Sequence, residues 1–260
     1  MRRKLSENLK RIEQRIAEAC RRAERDPARI RLIAVTKSAP LEVIRHLVEL
    51  GVRDLGENRV QELSKRAAMI HEWANRRSRE PNPPANPHWH MVGHLQRNKV
   101  RSVLPWIEMI HSVDSLRLAE DIDAECGKIG RRMPVLLEVN VSGESTKQGV
   151  AVAATTHLSE QISTLKHLEL RGLMAMGPLT DDVARIRATF ERVRELFDEV
   201  VGERMAGNHF TELSLGMSHD FEHAIEFGST MVRIGSALFE GIELPAAEPL
   251  EEDSALPSTS

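Results

Sequence analysis

The chain has 260 residues, with 36 Lys and Arg against 39 Asp and Glu, a formal net charge of −3 at pH 7. This balance argues against a nucleic-acid partner, which would require a strongly basic face. No apolar run approaches the roughly 18 residues of a membrane span, and no apolar segment follows the basic start as in a signal peptide, so we expect a cytoplasmic protein with no membrane partner.

Neither cysteine nor histidine spacing indicates a metal site. Cys20 and Cys126 lie far apart in predicted helices and lack redox or metal-ligand spacing, so we expect free thiols. His219 and His223 are four residues apart but lack the companion glutamate of the zinc-protease pattern. The sequence therefore predicts no bound metal.

Eight short apolar segments alternate with helical patterns along the chain. The predicted strands are 32–36, 54–58, 88–93, 109–113, 134–141, 168–176, 212–217 and 231–236. The predicted helices are 41–50, 60–73, one opening at 96–100, 116–128, 152–165, 182–204 and 221–226. Such alternation predicts a parallel sheet with helices outside it, and at this length a closed (β/α)8 barrel of the TIM type is favoured. The alternative is an open doubly wound sheet, but no G-x-G-x-x-G motif follows the first strand.

The remaining segments flank this predicted barrel. An amphipathic helix at 4–25 precedes the first strand and should lie against the barrel. Residues 74–87 are rich in Arg, Asn and Pro and indicate a surface insertion. We expect one barrel domain at 1–243, no second domain, and a disordered acidic tail at 244–260.

Lys37 ends the apolar run of the first predicted strand and precedes a helix. In β/α barrels the carboxyl ends of the strands form the active site, where a lysine amine can attack a carbonyl to form a Schiff base. The alternative is a lysine that merely extends its amine into solvent.

Other polar residues follow the remaining strands. Those predicted at carboxyl ends are Glu57, Asn58, His90, Ser112, Asn140, Ser214, Ser218, Arg233 and Ser236, together with Met176. Glycines and hydroxyls concentrate after the last two strands, where barrels often bind phosphate. A lysine and a phosphate site together indicate a phosphorylated aldehyde; pyridoxal 5′-phosphate (PLP) and a phosphosugar aldolase substrate both fit. A barrel whose lysine is incidental is the third possibility.

Seven motifs in order resemble the pyridoxal phosphate homeostasis protein family over nearly the whole chain. They are AVTK at 34–37, GEN and VQE within 56–62, WHMVGHLQRNK at 89–99, HSVD at 111–114, RGLMAM at 171–176, LGMS at 215–218 and GSTMVRIG at 228–235. The resemblance implies a single barrel similar to the N-terminal domain of alanine racemase. It also implies that PLP is held as an internal aldimine on Lys37.

The resemblance further assigns roles at the mouth of the barrel. It implies that Arg233 faces the pyridine nitrogen and that the phosphate is surrounded by Ser214, Ser218, Gly235 and Ser236. Asn58 belongs to the matching GEN motif and is expected to contact the cofactor. The chain departs from the family pattern at Arg59, where a tyrosine is usual, and at Ser236, where a threonine is frequent.

The sequence contains no tyrosine. Racemisation in the alanine racemase arrangement uses a lysine and a tyrosine on opposite faces of the substrate. We therefore expect a non-catalytic PLP carrier or reservoir, with a PLP-dependent racemase or a phosphosugar aldolase as the alternative. Expected partners are PLP and PLP-dependent apoenzymes, and we expect a monomer or weak dimer.

Overall fold

The computed structural model describes residues 1–142 and 148–244. Eight parallel strands form a closed barrel in which each strand pairs with the next and the last pairs with the first. The strands are β1 (Arg31–Val35), β2 (Asp54–Glu57), β3 (His88–Met91), β4 (Met109–Val113), β5 (Met133–Asn140), β6 (Leu168–Met174), β7 (Glu212–Ser214) and β8 (Met231–Ile234). The (β/α)8 barrel expected from the alternation is confirmed.

The α-helices of the described residues cover the outside of the barrel. They are α1 (Arg2–Arg22), α2 (Leu41–Glu49), α3 (Val60–Arg76), α4 (Val100–Val103), α5 (Leu116–Lys128), α6 (Thr155–Ser163), α7 (Val183–Gly202) and α8 (Phe221–Glu226). Apolar side chains between strands and helices form the larger core. A smaller cluster of Ile33, Met109, Leu136, Met174 and Met231 packs together on the strands. No helix in the described part of the chain is long and apolar enough to cross a bilayer.

Helix α1 is attached to the end of the barrel domain by polar contacts. Asn8 is buried and its side-chain amide donates to the carbonyl oxygens of Leu238 and Glu240, both at 2.9 Å. Arg15 makes two hydrogen bonds with Glu222 of α8, at 2.7 and 2.8 Å. These contacts hold the flanking helix against α8 and the segment that follows β8, and its place beside the barrel is the one expected from its amphipathic pattern.

Several element boundaries differ from the sequence predictions. Helix α3 continues through Arg76 because Ala74 keeps the apolar period and is buried, so the insertion begins at residue 77 instead of 74. After β3, α4 is one turn long between two short 3-10 segments, the second of which contains Pro105. A proline cannot donate the backbone hydrogen bond that a longer α-helix needs.

One short stretch near the fifth strand also differs, and two predicted segments lie wholly or partly outside the described residues. Val150–Ala151 form a two-residue strand beside the end of β5, too short for sequence periodicity to reveal. Of the predicted loop at 142–149, residues 143–147 lie outside the described residues, and so does the predicted tail from residue 245 onward.

The predicted strands 168–176, 212–217 and 231–236 end two or three residues earlier than expected, because their last residues leave the ladder and enter the mouth of the barrel.

Candidate active site at the carboxyl ends of the strands

Lys37 lies two residues beyond the end of β1 and is exposed. In the register of the barrel, Ala34 pairs with Ile234 of β8 and with Leu55 of β2. The lysine therefore emerges between the segments that follow β8 and β2. Its placement at the mouth agrees with the sequence prediction, and its exposure leaves the amine accessible to a ligand.

A small nest of hydrogen-bond donors lies beside Lys37, after β8. The Ser218 hydroxyl oxygen accepts hydrogen bonds from the backbone N–H groups of Gly235, at 3.3 Å, and Ala237, at 3.2 Å. Ser218 is buried and Ser236, between the two donors, is exposed. Convergent backbone N–H groups of this kind bind anions, and here they point to the place that the Ser218 oxygen takes, while the Ser218 hydroxyl keeps its own hydrogen to donate.

Gly216 lets the Ser218 loop pass close to α8. Its φ is +85°, and a Cβ there would lie 2.7 Å from the Cα of Phe221. The loop is closed by a hydrogen bond from the Met217 backbone N–H to the Asp220 carboxylate, at 2.6 Å. A side chain at position 216 would therefore displace the loop that carries Ser218.

Arg233 is buried and held firmly on β8. Its Nη1 donates to the carbonyl oxygen and the hydroxyl of Ser214, both at 2.6 Å, and its Nη2 donates to the carbonyl oxygen of Ala175 at 3.0 Å. Burial lowers the pKa of Arg233 to about 10, so the side chain stays charged at neutral pH. Of its five N–H groups, three have acceptors within the described part of the chain, which leaves two donors for a ligand.

Ser214 lies beneath Arg233 and is fully buried. Besides its bond from Arg233, the hydroxyl lies 2.9 Å from Nδ1 of His111. The Ser214 hydroxyl is therefore already engaged by Arg233 and by His111. This geometry ties Ser214 to Arg233, whereas the resemblance implied a place around the phosphate.

Asn58 lies two residues after Gly56, which pairs with Val35 of β1. It is partly buried and level with Lys37 at the mouth. Gly93 packs directly against it, since a Cβ at position 93 would lie 2.5 Å from the Asn58 carbonyl oxygen. The structure thus brings Lys37, Asn58, Ser218, Arg233, Gly235 and Ser236 to one end of the barrel.

A buried ion pair behind Lys37 was not anticipated from the sequence. Glu57 Oε1 accepts hydrogen bonds from the Thr36 hydroxyl, at 2.5 Å, and from Arg66 Nη1, at 2.6 Å. Arg66 Nη1 also donates to the Thr36 carbonyl oxygen at 2.6 Å. Burial raises the pKa of Glu57, and Arg66 and Thr36 oppose this rise. Arg66 therefore connects α3 to the residue that directly precedes Lys37.

The sequence offered only part of the signal for this pair. Glu57 is the next-to-last residue of the predicted strand 54–58 and one of the polar residues expected at the carboxyl ends. Arg66 also pairs with Glu62 at i,i+4 spacing, at 3.2 Å, which in sequence is indistinguishable from an ordinary surface pair on a helix.

Glu138 is a second buried carboxyl group in the barrel, and it leads to a prediction for stability. Burial raises its pKa to about 7, although the charge of Arg233 opposes the rise. A folded-state pKa above the unfolded value means that the native state binds the extra proton, so Glu138 lowers stability as pH rises from about 4.5 to 7. We expect Glu138→Gln to raise the free energy of unfolding at pH 8 by on the order of 2 kcal/mol, and to change it little at pH 4.

Urea unfolding of the PLP-free protein at both pH values measures this difference. Glu160→Gln, at an exposed position on α6, is the matched control and should leave both values within about 0.5 kcal/mol. Equal stability of the Glu138→Gln variant and the parent at pH 8 would contradict the prediction.

Comparisons with known proteins show the family to which the chain belongs. The family model described as the alanine racemase N-terminal domain matches residues 8–242. A pyridoxal phosphate homeostasis protein of Aquifex aeolicus is 38% identical over 233 residues, which cover 90% of this chain and 96% of the relative. One from Pseudomonas aeruginosa is 39% identical over 237 residues, 90% of this chain and 94% of the relative. The chain belongs to the pyridoxal phosphate homeostasis protein family.

The comparison also includes a solved structure. PipY of Synechococcus elongatus, in a structure with PLP bound, superposes with a TM-score of 0.73 at 34% identity, covering 88% of this chain and 99% of PipY. Both the family resemblance and the alanine racemase type of barrel expected from the sequence are therefore confirmed.

Proposed function

We propose that this chain binds PLP at the mouth of the barrel and holds it covalently on Lys37 as a Schiff base. One observation carries the proposal: an accessible lysine lies beside a nest formed by the Ser218 hydroxyl and two backbone N–H groups. An amine for an aldehyde and donors for a phosphate are the two features that PLP requires. The names of the relatives and the PLP-bound PipY structure support the same ligand.

The residues divide between the two ends of the cofactor. We assign the phosphate to Ser218, Gly235 and Ser236, and the pyridine nitrogen to one of the two free donors of Arg233. Asn58 borders the site beside Lys37. Ser214, predicted at the phosphate, is assigned instead to the support of Arg233, because Arg233 and His111 already engage its hydroxyl.

Arg233 limits the chemistry that this site can perform. Bound PLP supplies an aldehyde that condenses with amines and a pyridine ring that can accept electrons. With a pKa of about 10, Arg233 donates a hydrogen bond to the ring nitrogen at neutral pH without giving up its proton. An unprotonated ring is a poorer electron sink. Since the 260 residues also include no tyrosine for the second acid-base position, we propose a carrier or reservoir without efficient turnover.

A reservoir also implies recipients. We propose that the chain works in the cytoplasm, as a monomer or weak dimer, and that PLP-dependent apoenzymes take the cofactor from it. Covalent storage on Lys37 would keep a reactive aldehyde from modifying other amines, while exposure of the mouth would allow release.

The test combines spectroscopy with transfer. We expect the protein, after incubation with PLP and removal of excess, to show the visible absorption band of a PLP Schiff base. On mixing with a PLP-dependent apoenzyme, that band should fall as the apoenzyme gains activity. Racemisation of alanine at ordinary enzyme rates would overturn the non-catalytic assignment. Trapping of a sugar phosphate by borohydride, with no visible band, would favour the aldolase alternative.

A further inference from the structure

A continuous series of five polar side chains runs through the barrel from Arg233 near the mouth to Asp54 at the opposite end. The Ser214 hydroxyl links Arg233, at 2.6 Å, to Nδ1 of His111, at 2.9 Å. His111 Nε2 lies 2.9 Å from His90 Nδ1, and His90 Nε2 lies 3.0 Å from Asp54 Oδ1. We refer to these five residues as the polar column.

The chemistry of its two ends fixes the direction of every hydrogen bond in the column. The ionised Asp54 only accepts, so His90 donates from Nε2 and, being neutral, accepts at Nδ1. His111 must then donate from Nε2 and accept at Nδ1. At the other end Arg233 only donates, so the Ser214 oxygen accepts from Arg233, and the Ser214 hydroxyl donates its own hydrogen to the acceptor at His111 Nδ1. With both rings neutral, both histidines are therefore Nε2–H tautomers.

The charges around the column are consistent with this assignment. Burial lowers the pKa of His90 and, together with the charge of Arg233, places the pKa of His111 well below its usual range. Burial alone would raise the pKa of Asp54, but the hydrogen bond from His90 and the nearby charges of Arg31 and His88 lower it. Near Arg233 the facing carboxylates are Glu138 and Asp220.

Such a column is unusual in the middle of a barrel. Barrel interiors are normally filled with branched apolar side chains, and each buried polar group that loses its partner is costly. Here Arg233, Ser214, His111 and His90 are all at most 5% exposed. At its far end Asp54 opens into a pocket of about 660 Å³ that Arg31 and Arg53 also line. Polar groups retained in a core at this expense indicate a role beyond folding.

We propose that the polar column holds Arg233 in position for the pyridine nitrogen of PLP, with Ser214, His111, His90 and Asp54 as positioning residues. The column engages Nη1, and the Ala175 carbonyl oxygen engages one hydrogen of Nη2. The guanidinium plane is thereby fixed, with its remaining donors free for the ring. This proposal rests on the proposed function, because it assigns support residues to the same PLP site.

The first experiment examines the column without any cofactor. Side-chain ¹⁵N resonances of histidine in the PLP-free protein at pH 7 report which ring nitrogen carries the hydrogen. We expect His90 and His111 as neutral Nε2–H tautomers, and in Ser214→Ala only the His111 Nδ1 resonance should shift strongly. An Nδ1–H tautomer or a protonated ring at either position would overturn the column, whether or not PLP binds.

The second experiment measures the effect on the cofactor. We expect His90→Gln, which retains a donor toward Asp54 but no longer has an acceptor at the position of Nδ1 for His111, to weaken PLP binding by roughly threefold to tenfold. It should also shift the ¹⁵N resonance of the pyridine nitrogen in labelled PLP. Ser214→Ala should also weaken PLP binding and shift the pyridine resonance. Because it removes only one hydroxyl, it replaces His90→Gln in this test if that variant does not fold.

His88→Gln is the matched control for the column. His88 lies on the same strand and 3.4 Å from the same carboxylate of Asp54, but it is outside the column and half exposed. We expect no change in PLP affinity or in the pyridine resonance. If Ser214→Ala bound PLP like the parent with an unshifted pyridine resonance, the positioning role would be wrong. If the parent itself bound no PLP, the proposed function would fail, while the histidine resonances would still decide whether the column exists.

Discussion

Lys37→Ala should abolish covalent attachment of PLP completely. The reason is chemical: only a primary amine can condense with the aldehyde, and Lys37 is the lysine that emerges beside the Ser218 nest. Borohydride reduction followed by peptide mass spectrometry measures the attachment site directly. The parent should carry the modification at position 37, and the variant should show neither the modification nor the visible absorption band.

Two further variants separate the amine from its charge and from general lysine reactivity. Lys37→Arg keeps a positive charge at the mouth but cannot form the Schiff base, so it should also lose covalent attachment. Lys65→Ala, at an exposed position on α3, should bind PLP like the parent. Because Lys37 is exposed, its replacement by Ala should change the free energy of unfolding by less than about 0.5 kcal/mol. Full covalent loading of Lys37→Ala would place the PLP site elsewhere.

The barrel and its mouth residues could be predicted because both follow from local patterns. Short apolar strands alternate with amphipathic helices, and parallel strands bring their carboxyl ends together, so Lys37 and Arg233 could be assigned to one end of the barrel before any coordinates were known. The predicted positions of the strand ends were less accurate. At Ser218 and Ser236, the apolar pattern continues past the last ladder pair into loops that turn over the mouth.

Contacts between distant side chains could not be predicted in the same way. His111 lies in the middle of β4 and, in sequence, is one of two adjacent polar residues within an apolar run; its contact with Ser214 depends on the closure of the barrel. His90 was expected to lie at the rim, yet it is 1% exposed and bonded on both ring nitrogens. Sequence spacing indicates on which face of a strand a side chain lies. It does not indicate which residues of the other strands that side chain contacts inside the barrel.

Arg66→Met should lower the free energy of unfolding by about 3 kcal/mol or more at pH 8. Glu57 is fully buried, its Oε1 depends on Arg66 and Thr36, and its Oε2 has no partner in the described residues. Removing the arginine leaves a buried carboxylate without its countercharge, a change that typically costs 3–5 kcal/mol, as a rough figure. Arg76→Met is the control on the same helix, because its pair with Glu72 is exposed on both sides, and it should cost at most about 0.5 kcal/mol.

The pH dependence of this loss distinguishes a missing charge from missing packing. Burial already raises the pKa of Glu57, and loss of Arg66 removes an opposing influence, so the pKa should rise further in the variant. A raised carboxyl pKa destabilises the native state as pH increases above the ordinary range, and protonation removes the penalty below it. The variant should therefore be closer to the parent at pH 4 than at pH 8 in urea unfolding, and adding Glu57→Gln should recover part of the loss at pH 8. A loss that is equal at both pH values, with no recovery, would mean that Arg66 acts through packing alone, and that the ion pair behind Lys37 has no electrostatic role.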